Sequence, residues 1–333
     1  MRHDHGTLQK RRPAIVTTET NPTTTTTADE PFPDDATLLA VEEALRQFIG
    51  EAGKIVMERR ASLGVEYKGG NKTDPVTEVD RAVEAYLTQA VAGRFPEHAV
   101  LGEEGQDPKG VHEYEWIVDP VDGTLNFVTG LPLYGVSVGV LHRRRPVVGA
   151  LLFPVTGEML HARLGGGAFR NGEPIRVRPK AEGKRSLVAG LPGSFRAGFK
   201  ADRGFRSRLG ETRSLGSIAY EIGVVAMGTL DFALFRGPKI WDVAGGAPIV
   251  TEAGGRVVYY SRRRKSWLPL DRFIAPPKGG LRAWTQPVLL GSAQAVEELS
   301  PHLAPRYAPA LLVAASHGYQ AARWGYTQAR SVR

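Results

Sequence analysis

The sequence predicts a mixed α+β and α/β fold, with an antiparallel meander in the first half and alternating strands and helices in the second. Short apolar runs separated by glycine- and proline-containing turns occupy the middle of the chain, which is typical of antiparallel hairpins. Beyond Lys184, strand-like and helical segments alternate, as they do in α/β proteins. The 333 residues are enough for one large domain or two ordinary ones.

Composition narrows the class of protein. Apolar residues make up 42% of the chain and charged residues 23%, the ordinary balance of a soluble globular enzyme. The absence of cysteine excludes disulfides, cysteine-bound zinc and iron–sulfur clusters. The first residues lack the apolar stretch of a signal peptide, and no apolar run approaches the length needed to span a bilayer. We therefore expect a cytoplasmic protein without a membrane partner.

Two helices are predicted ahead of the meander. Asp34-Asp35 precede apolar residues that recur at helical spacing from Leu38 to Val56, and acids at this end suit the helix dipole. Thr77 is the predicted N-cap of a second helix, with Asp80 at its third position in a capping-box-like role.

Two strands that end in acids come next. The short apolar segment Val100–Gly102 leads into Glu103-Glu104. The run Trp116–Val118 predicts a buried strand that ends abruptly at Asp119-Pro120.

The meander is predicted from four strand-like runs: Val136–Leu141, Val147–Phe153, Met159–Ala162 and Ile175–Val177. They are separated by four turn segments: Arg143–Pro146, Pro154–Gly157, Gly165–Gly167 and Asn171-Gly172. The Asn-Gly pair is a strong hairpin signal.

The second half alternates. Its predicted strands are Leu187–Leu191, Asp231–Leu234, Val257–Tyr260 and Val288–Leu290. Its predicted helices begin at Gly216-Ser217, at Trp241-Asp242 (ending near Gly254-Gly255), at Gln294 (ending at Leu303) and at Pro309 (ending near Ala329). Pro309 suits a first helical position, where its missing N–H costs nothing.

The chemistry of the chain is concentrated where the strand Trp116–Val118 ends. Asp119 and Asp122 lie three residues apart with Pro120 between them, and Gly123-Thr124 follow. Proline restricts the backbone and glycine permits a tight turn, so two acids and a hydroxyl are held close together. Carboxylates at this spacing repel each other and require a cation, a proton or full solvation. The stretch therefore predicts a site for a hard metal ion.

Four acid-bearing motifs then form an ordered set: Asp74-Pro75-Val76-Thr77-Glu78-Val79-Asp80, Gly102-Glu103-Glu104, Asp119-Pro120-Val121-Asp122-Gly123-Thr124-Leu125-Asn126-Phe127, and Trp241-Asp242-Val243-Ala244-Gly245 followed by Glu252-Ala253-Gly254-Gly255. In type, order and spacing they resemble the inositol monophosphatase-like family of Mg²⁺-dependent, lithium-sensitive sugar and inositol phosphatases. The resemblance covers roughly residues 36 to 300. It implies a layered αβαβα sandwich of the sugar-phosphatase type.

The resemblance also implies a metal set. The carboxylates of Glu103, Asp119, Asp122 and Asp242, with the backbone carbonyl of Val121, would hold two or three Mg²⁺ ions. All-oxygen, anionic ligation suits Mg²⁺ rather than a soft metal.

Catalytic and phosphate-binding roles follow from the same resemblance. Thr124 and Asp80 match a threonine–aspartate pair that orients the attacking water, and Glu103 would assist as the base. Backbone N–H groups at Gly123-Thr124 and at Gly216-Ser217 would hold the phosphate oxygens.

The predicted domain organisation has four parts. Residues 1–35 form a disordered tail marked by Thr23–Thr27, because they contain few large apolar side chains. Residues 36–184 form the metal-binding α+β half, 185–303 the α/β half that completes the active site, and 304–333 a C-terminal helical extension.

One position departs from the inositol-specific pattern. Phe235 stands seven residues before Asp242, where those members carry a glutamate that binds substrate hydroxyls. A phenyl ring accepts no hydrogen bond from a polyol, so inositol 1-phosphate would lack this contact to its hydroxyls. Arg236 and Lys239 either meet a second negative group, as in a bisphosphate, or face solvent.

The sequence therefore predicts a Mg²⁺-dependent phosphomonoesterase that acts on a small-molecule phosphate such as inositol 1-phosphate through a metal-activated water. Fructose 1,6-bisphosphate, histidinol phosphate and 3′-phosphoadenosine 5′-phosphate are alternatives within the family. The resemblance suggests a homodimer.

A different class of function comes from charge. From Arg256 to the end there are 12 basic and 3 acidic residues, a net charge of +9. The whole chain has a net charge of +8, so the residues before Arg256 together carry −1. The run Arg262–Lys265 is compatible with an RNA-associated regulatory protein. A solvated hairpin or loop explains the run more simply, since no aromatic-rich RNA motif accompanies it. We do not expect nucleic acid to be a partner.

Overall fold

The computed structural model describes residues 32–60, 65–67, 75–105, 107–108, 110, 112–178 and 186–307. The predicted tail up to Pro31 and the helix predicted from Pro309 to Ala329 lie outside these ranges. None of the helices within them is long and apolar enough to cross a membrane.

Both helices predicted ahead of the meander are present. Helix α1 spans Asp35–Arg59 and is capped by Asp34, whose carboxylate accepts a hydrogen bond from the Thr37 N–H at 2.7 Å. Helix α2 spans Glu78–Arg94 and begins directly after Thr77, as the sequence predicts. The two helices pack together over one face of a sheet.

That sheet holds the predicted meander. Among the described residues its seven strands are β3 (Ala99–Gly102), β4 (Tyr114–Asp122), β5 (Gly135–His142), β6 (Arg145–Phe153), β7 (Glu158–Arg163), β8 (Gly167–Arg170) and β9 (Glu173–Pro174), after an antiparallel pair β1 (Val65–Tyr67) and β2 (Pro75–Thr77). They lie side by side in chain order. Strands β3 and β4 are parallel and all other neighbours are antiparallel, so the antiparallel meander is confirmed.

The last hairpin of the meander was predicted at the wrong place. Ile175–Val177 is not a strand. The Asn171-Gly172 turn instead joins β8 to the two-residue β9, with Arg170 paired to Glu173. The two-residue turn sets the register of this hairpin, and the strand pairing ends at Pro174, before the apolar run Ile175–Val177 begins.

Strand β4 also runs further than predicted. It does not end at Asp119-Pro120 but continues through Asp122, with a bulge between Asp119 (opposite Ser137) and Asp122 (opposite Gly135). Proline is tolerated at a bulge because no ladder hydrogen bond is required of it there.

The second half forms a mixed sheet with helices on both faces. Its elements are β10 (Leu187–Gly190), α4 (Phe195–Gly198), β11 (Phe199–Ala201), α5 (Arg203–Arg206), β12 (Leu209–Arg213), α6 (Ile218–Ala226), β13 (Phe232–Phe235), α7 (Ile240–Ala244), α8 (Gly246–Glu252), β14 (Gly255–Ser261), β15 (Ser266–Pro269), β16 (Val288–Ser292), α9 (Ala293–Leu299) and β17 (Leu303–Pro305), preceded in the chain by the short helix α3 (Thr124–Thr129). The strand order is β12-β10-β13-β16-β14-β15, parallel across the first three strands and antiparallel across the rest.

Two predicted helices of this half needed correction. The helix expected from Trp241 to Gly254 is two short helices, α7 and α8, that meet at Gly245. The helix expected from Gln294 to Leu303 ends at Leu299 and is followed by a 3₁₀ turn and β17, which pairs with β11. Pro301 lies in that turn and does not continue the α-helix.

The elements stack in five layers, which confirms the αβαβα arrangement. Helices α1 and α2 cover one face of the seven-stranded sheet, helices α6 to α8 lie between the two sheets, and α9 covers the outer face of the second sheet. The core between the sheets contains side chains from both halves, including Ile117, Phe153, Ala233 and Leu290.

A glycine lets the middle helices approach the first sheet. At Gly139 on β5, a Cβ would lie 2.4 Å from the carbonyl carbon and oxygen of Ala244. Only glycine allows this contact at the end of α7, and the helix packs against β4 and β5.

Candidate metal centre and active site

Three carboxylates meet where the first sheet faces the middle helices. Asp119 and Asp122 lie on either side of the β4 bulge, and Asp242 lies in the first turn of α7. Each offers one oxygen that lies within 4.8 Å of those of the other two. The sequence predicted all three as metal ligands, and the fold brings Asp242 to Asp119 and Asp122 from more than a hundred residues further along the chain.

Asp119 is the most deeply buried of the three, with 2% of its surface exposed. Its Oδ1 atom has no hydrogen-bond partner among the described residues. Burial raises the pKa of this carboxyl well above its usual value, and the charges of Glu103, Asp122, Asp242 and Asp80 raise it further. A divalent cation would satisfy the unpartnered oxygen and the concentrated negative charge, so the residues fit a hard metal.

Asp122 is held by the start of helix α6. The Ser217 hydroxyl and the Ala219 N–H each donate a hydrogen bond to its Oδ2 atom at 2.5 Å. Burial raises the pKa of Asp122, while the hydrogen bonds from Ser217 and from the N–H groups of this helix start oppose that shift. Ser217 is also the N-cap of α6, because its oxygen accepts a hydrogen bond from the Tyr220 N–H at 3.1 Å.

Asp242 is fixed within its own helix. The Lys239 N–H donates a hydrogen bond to its Oδ2 atom at 2.7 Å. Burial and the charges of Asp122 and Glu103 raise the pKa of Asp242 well above its usual value, against the effect of Lys239.

Glu103 and Asp80 complete the group of acids. Glu103 follows β3 in a tight turn, and its N–H donates to the Val118 carbonyl on β4 at 3.1 Å. Its charge raises the pKa of both Asp119 and Asp242. Asp80 is buried in the first turn of α2, and its charge also raises the pKa of Asp119. The charges of four other acids predicted from sequence therefore act on Asp119, and among the described residues two of them, Asp122 and Asp242, lie in the close group with it.

Thr124 makes a contact that the sequence did not predict. Its hydroxyl donates a hydrogen bond to the carbonyl oxygen of Val121 at 2.9 Å. Both groups were assigned to the site, one as a water-orienting hydroxyl and one as a metal ligand. The expected contact between Thr124 and Asp80 stays a prediction.

The two predicted phosphate-binding turns lie against each other. Gly123 has φ +87° and precedes α3, and a Cβ at this position would lie 2.9 Å from the Cβ of Ser217. The left-handed backbone and the close approach both require glycine there. Gly216, with φ +78°, packs on the Asn126 side chain.

Two further residues anchor these turns. The Asn126 amide donates to the carbonyl of Leu133 at 2.6 Å and to that of Leu215 at 2.8 Å. The Glu221 carboxylate accepts the Leu215 N–H at 2.8 Å, and burial raises the pKa of Glu221 to about 7. Sequence reasoning assigned neither residue a role, although Asn126 lies inside one of the acid-bearing motifs.

Phe235 does not present its ring to the outside. Its side chain is 5% exposed and packs in the core between the sheets, together with Trp241. The neighbouring Arg236 and Lys239 are exposed. This position therefore contributes to packing, and the exposed groups beside it are cationic.

Comparison with known proteins agrees with this geometry. A family model described as "Inositol monophosphatase family" matches residues 37–297. The chain is 40% identical over 233 residues to "Inositol monophosphatase 3" of Solanum lycopersicum, which covers 66% of this chain and 84% of the relative. It is 38% identical over 199 residues to "Fructose-1,6-bisphosphatase/inositol-1-monophosphatase" of Thermotoga maritima, which covers 59% of this chain and 75% of the relative.

The likeness extends to solved structures. The Thermotoga maritima IMPase superposes with a TM-score of 0.60 at 28% identity, over 80% of this chain and 95% of that one. Residues 37–297, which the family model matches, include both sheets, Asp119 and the four other acids whose charges act on it. The chain belongs to the inositol monophosphatase family and is a phosphoric monoester hydrolase.

Proposed function

We propose that the protein is a Mg²⁺-dependent phosphomonoesterase in which Glu103, Asp119, Asp122, Asp242 and the Val121 carbonyl hold the metal. The unpartnered, buried Oδ1 atom of Asp119 among four other acids carries this proposal. When bound, two or three Mg²⁺ ions supply Lewis-acid polarisation of the phosphoryl group and lower the pKa of a water molecule.

The chain's own residues then have distinct tasks. Glu103 accepts the proton of the attacking water. It is one of the acids whose charges act on Asp119, and its side chain is more exposed to solvent than that of Asp119. Thr124 and Asp80 orient that water. The water oxygen forms a bond to phosphorus as the bond to the alcohol oxygen breaks, and the leaving oxygen takes up a proton from a solvent water, so no serine or cysteine nucleophile is required.

The phosphate oxygens are held by backbone N–H groups. Those of Gly123 and Thr124 lie at the start of α3, and those of Gly216 and Ser217 immediately precede α6. The contact between Gly123 and Ser217 supports a single binding surface made by both turns. N–H groups at helix starts suit anionic ligands.

The substrate is a small phosphate such as inositol 1-phosphate. Fructose 1,6-bisphosphate, histidinol phosphate and 3′-phosphoadenosine 5′-phosphate are the alternatives. The buried Phe235 offers no hydrogen bond to a polyol, and the exposed cations Arg236 and Lys239 favour a substrate with a second negative group. One relative is named for both a bisphosphate and an inositol phosphate.

A substrate panel tests the reaction. Purified protein freed of metal receives Mg²⁺ and each of the four phosphates, and released phosphate is measured beside an Asp242→Asn control. We expect Mg²⁺-dependent release that the control lacks. Rates equal to the control for all four substrates would disprove the proposed function.

The basic run has a simple structural explanation. Residues 262–265 form the exposed turn between β14 and β15, so of the two simple explanations, hairpin and loop, the hairpin is the one present. The Arg262 guanidinium lies over the ring of Tyr307 at 4.6 Å. RNA association remains the different-class alternative, and salt-dependent RNA binding that is lost on replacing Arg262 to Lys265 would support it. A homodimer and a cytoplasmic location likewise remain expectations.

A further inference from the structure

Arg282 donates several hydrogen bonds to the turn that carries Glu103. Its Nη1 donates to the carbonyl of Glu103 at 2.9 Å, and its Nη2 donates to those of Gly102 and Gly105, both at 2.8 Å. Its Nε donates to the carboxylate of Asp107 at 2.5 Å. One guanidinium thus binds three backbone carbonyls and one carboxylate of a single turn that lies about 180 residues earlier in the chain.

The same turn is also held by Glu84. Burial raises the pKa of Glu84, and the charge of the nearby Arg282 guanidinium opposes that rise. The Glu84 carboxylate accepts the Glu104 N–H at 2.8 Å. A Cβ at Gly102 would lie 2.2 Å from the carboxyl carbon of Glu84, and one at Gly105 would lie 2.4 Å from its Oε1. Because Glu84 follows Asp80 by one helical turn on α2, the same helix face holds the turn and carries an acid of the site.

Arg282 also touches the helix that carries Asp242. Its guanidinium carbon lies 5.4 Å from the centre of the Trp241 ring, in a cation–π arrangement. Trp241 is buried at 7% exposure and the Arg282 side chain is 27% exposed, so the contact is partly shielded from solvent. Arg282 therefore connects the Glu103 turn to the residue next to Asp242.

We propose that Arg282 is a positioning residue that fixes Glu103 relative to Asp242 and so sets the affinity of the site for Mg²⁺. The inference rests on the proposed function, since it takes both acids as metal ligands. The planar guanidinium provides five donors in a fork, whereas a lysine ammonium provides three from a point, so arginine alone can reach these acceptors together.

Three variants separate positioning from general stability. Arg282→Met keeps an unbranched stem beside Trp241 but removes every donor, and Arg282→Lys keeps the charge. Arg256→Met is the matched control, because Arg256 makes an ion pair with Glu297 at 2.6 Å on the far side of the second sheet.

Two readouts do not depend on turnover. Hydrogen exchange of the Glu104 and Gly105 amides reports the order of the turn, and calorimetric titration with Mg²⁺ reports affinity. For Arg282→Met we expect both exchange and the Mg²⁺ dissociation constant to rise by about tenfold, since several charge-assisted hydrogen bonds are lost. Arg282→Lys should lie between that variant and wild type, and Arg256→Met should match wild type.

Kinetics complete the experiment. At saturating Mg²⁺, Arg282→Met should recover most of kcat with little change in the substrate KM. Exchange and Mg²⁺ affinity within twofold of wild type in both Arg282 variants would overturn the positioning role, even if wild type hydrolyses its substrate. If wild type hydrolyses nothing while Arg282→Met still weakens Mg²⁺ binding, the proposed function fails and the positioning role stands. Arg282→Lys decides the case should the Met variant not fold.

Discussion

The Ser217 hydroxyl donates a hydrogen bond to the Asp122 carboxylate at 2.5 Å, and this contact ties the start of α6 to the bulged end of β4. The same oxygen caps α6 by accepting the Tyr220 N–H. One side chain therefore serves the helix and a carboxylate of the site at once.

Ser217→Ala removes both contacts. We expect the free energy of unfolding to fall by about 2–3 kcal/mol, since a cap costs about 1 and a hydrogen bond to a charged group rather more. Urea denaturation followed by circular dichroism measures the loss. Mg²⁺ affinity should also fall, because Asp122 loses one of the two groups that orient it and keeps only the Ala219 N–H.

Ser292→Ala is the matched control for that experiment. Ser292 caps α9 by accepting the Ala295 N–H at 3.2 Å, and its hydroxyl contacts no acid of the site. The control should lose only the capping energy and keep its Mg²⁺ affinity. Equal effects of the two substitutions on Mg²⁺ binding would show that the Ser217–Asp122 contact has no bearing on the metal.

Glu221 predicts a pH dependence of stability. Its folded-state pKa is about 7, against 4.5 for the ordinary carboxyl, because burial disfavours its charge. Between these values the folded chain keeps a proton that the unfolded chain has lost. The contribution of Glu221 to the free energy of unfolding is thus fully present below pH 4.5 and is lost as pH rises through 7, a loss of about 3 kcal/mol in all.

Glu221→Gln should remove this part of the dependence. The amide oxygen still accepts the Leu215 N–H, and the side chain stays neutral at every pH. Thermal melts from pH 4.5 to 8.5 without Mg²⁺ should show a shallower decline than wild type, with the variant more stable above pH 7. Glu211→Gln, at a side chain that is 79% exposed, should follow wild type throughout. Parallel curves for wild type and Glu221→Gln would contradict the prediction.

The acids of the site were predictable from sequence because each lies in a short motif of recognisable residues. Asp119, Asp122 and Thr124 share one short motif, and the order of the remaining motifs supplied Glu103 and Asp242. The hydrogen bond from Ser217 to Asp122 and the hydrogen bonds from Arg282 to the Glu103 turn were not predictable. Each joins positions about 100 to 180 residues apart, and local spacing carries no information about such contacts.

The fold shows the same division. Periodicity predicted helices α1, α2 and α6 and the meander strands, where burial follows the local pattern. It failed at Ile175–Val177, because the Asn171-Gly172 turn had already set the strand pairing. It also failed at Gly245, where two short helices meet against Ser137 on β5 and tertiary packing decides the geometry.

Asp119→Asn separates metal binding from folding. The amide is nearly the same size and carries no charge, so it relieves repulsion from Glu103, Asp122 and Asp242. Without Mg²⁺ at pH 8, the variant should melt at a higher temperature than wild type. Its turnover should fall about 100-fold or more, since even changes beyond the ligands cost up to that much.

Added Mg²⁺ provides the second half of that test. At a hundred times its dissociation constant, Mg²⁺ should stabilise wild type by about 3 kcal/mol and Asp119→Asn hardly at all. Calorimetric melts with and without the ion measure both effects. Equal stabilisation of the two proteins would show that Mg²⁺ binds elsewhere.

Gly139→Ala tests whether the close approach of α7 positions Asp242. The new methyl would lie 2.4 Å from the Ala244 carbonyl, so the helix must move away from β5. We expect a loss of about 1–3 kcal/mol in the free energy of unfolding, the usual cost of overpacking, together with weaker Mg²⁺ binding as Asp242 moves with α7. Gly93→Ala is the control, because nothing lies within 4 Å of its added Cβ and alanine favours the helix α2 by about 1 kcal/mol. The control should be as stable as wild type or more so, with unchanged Mg²⁺ affinity. A Gly139→Ala protein that is destabilised yet binds Mg²⁺ normally would show that the glycine contact does not determine the position of Asp242.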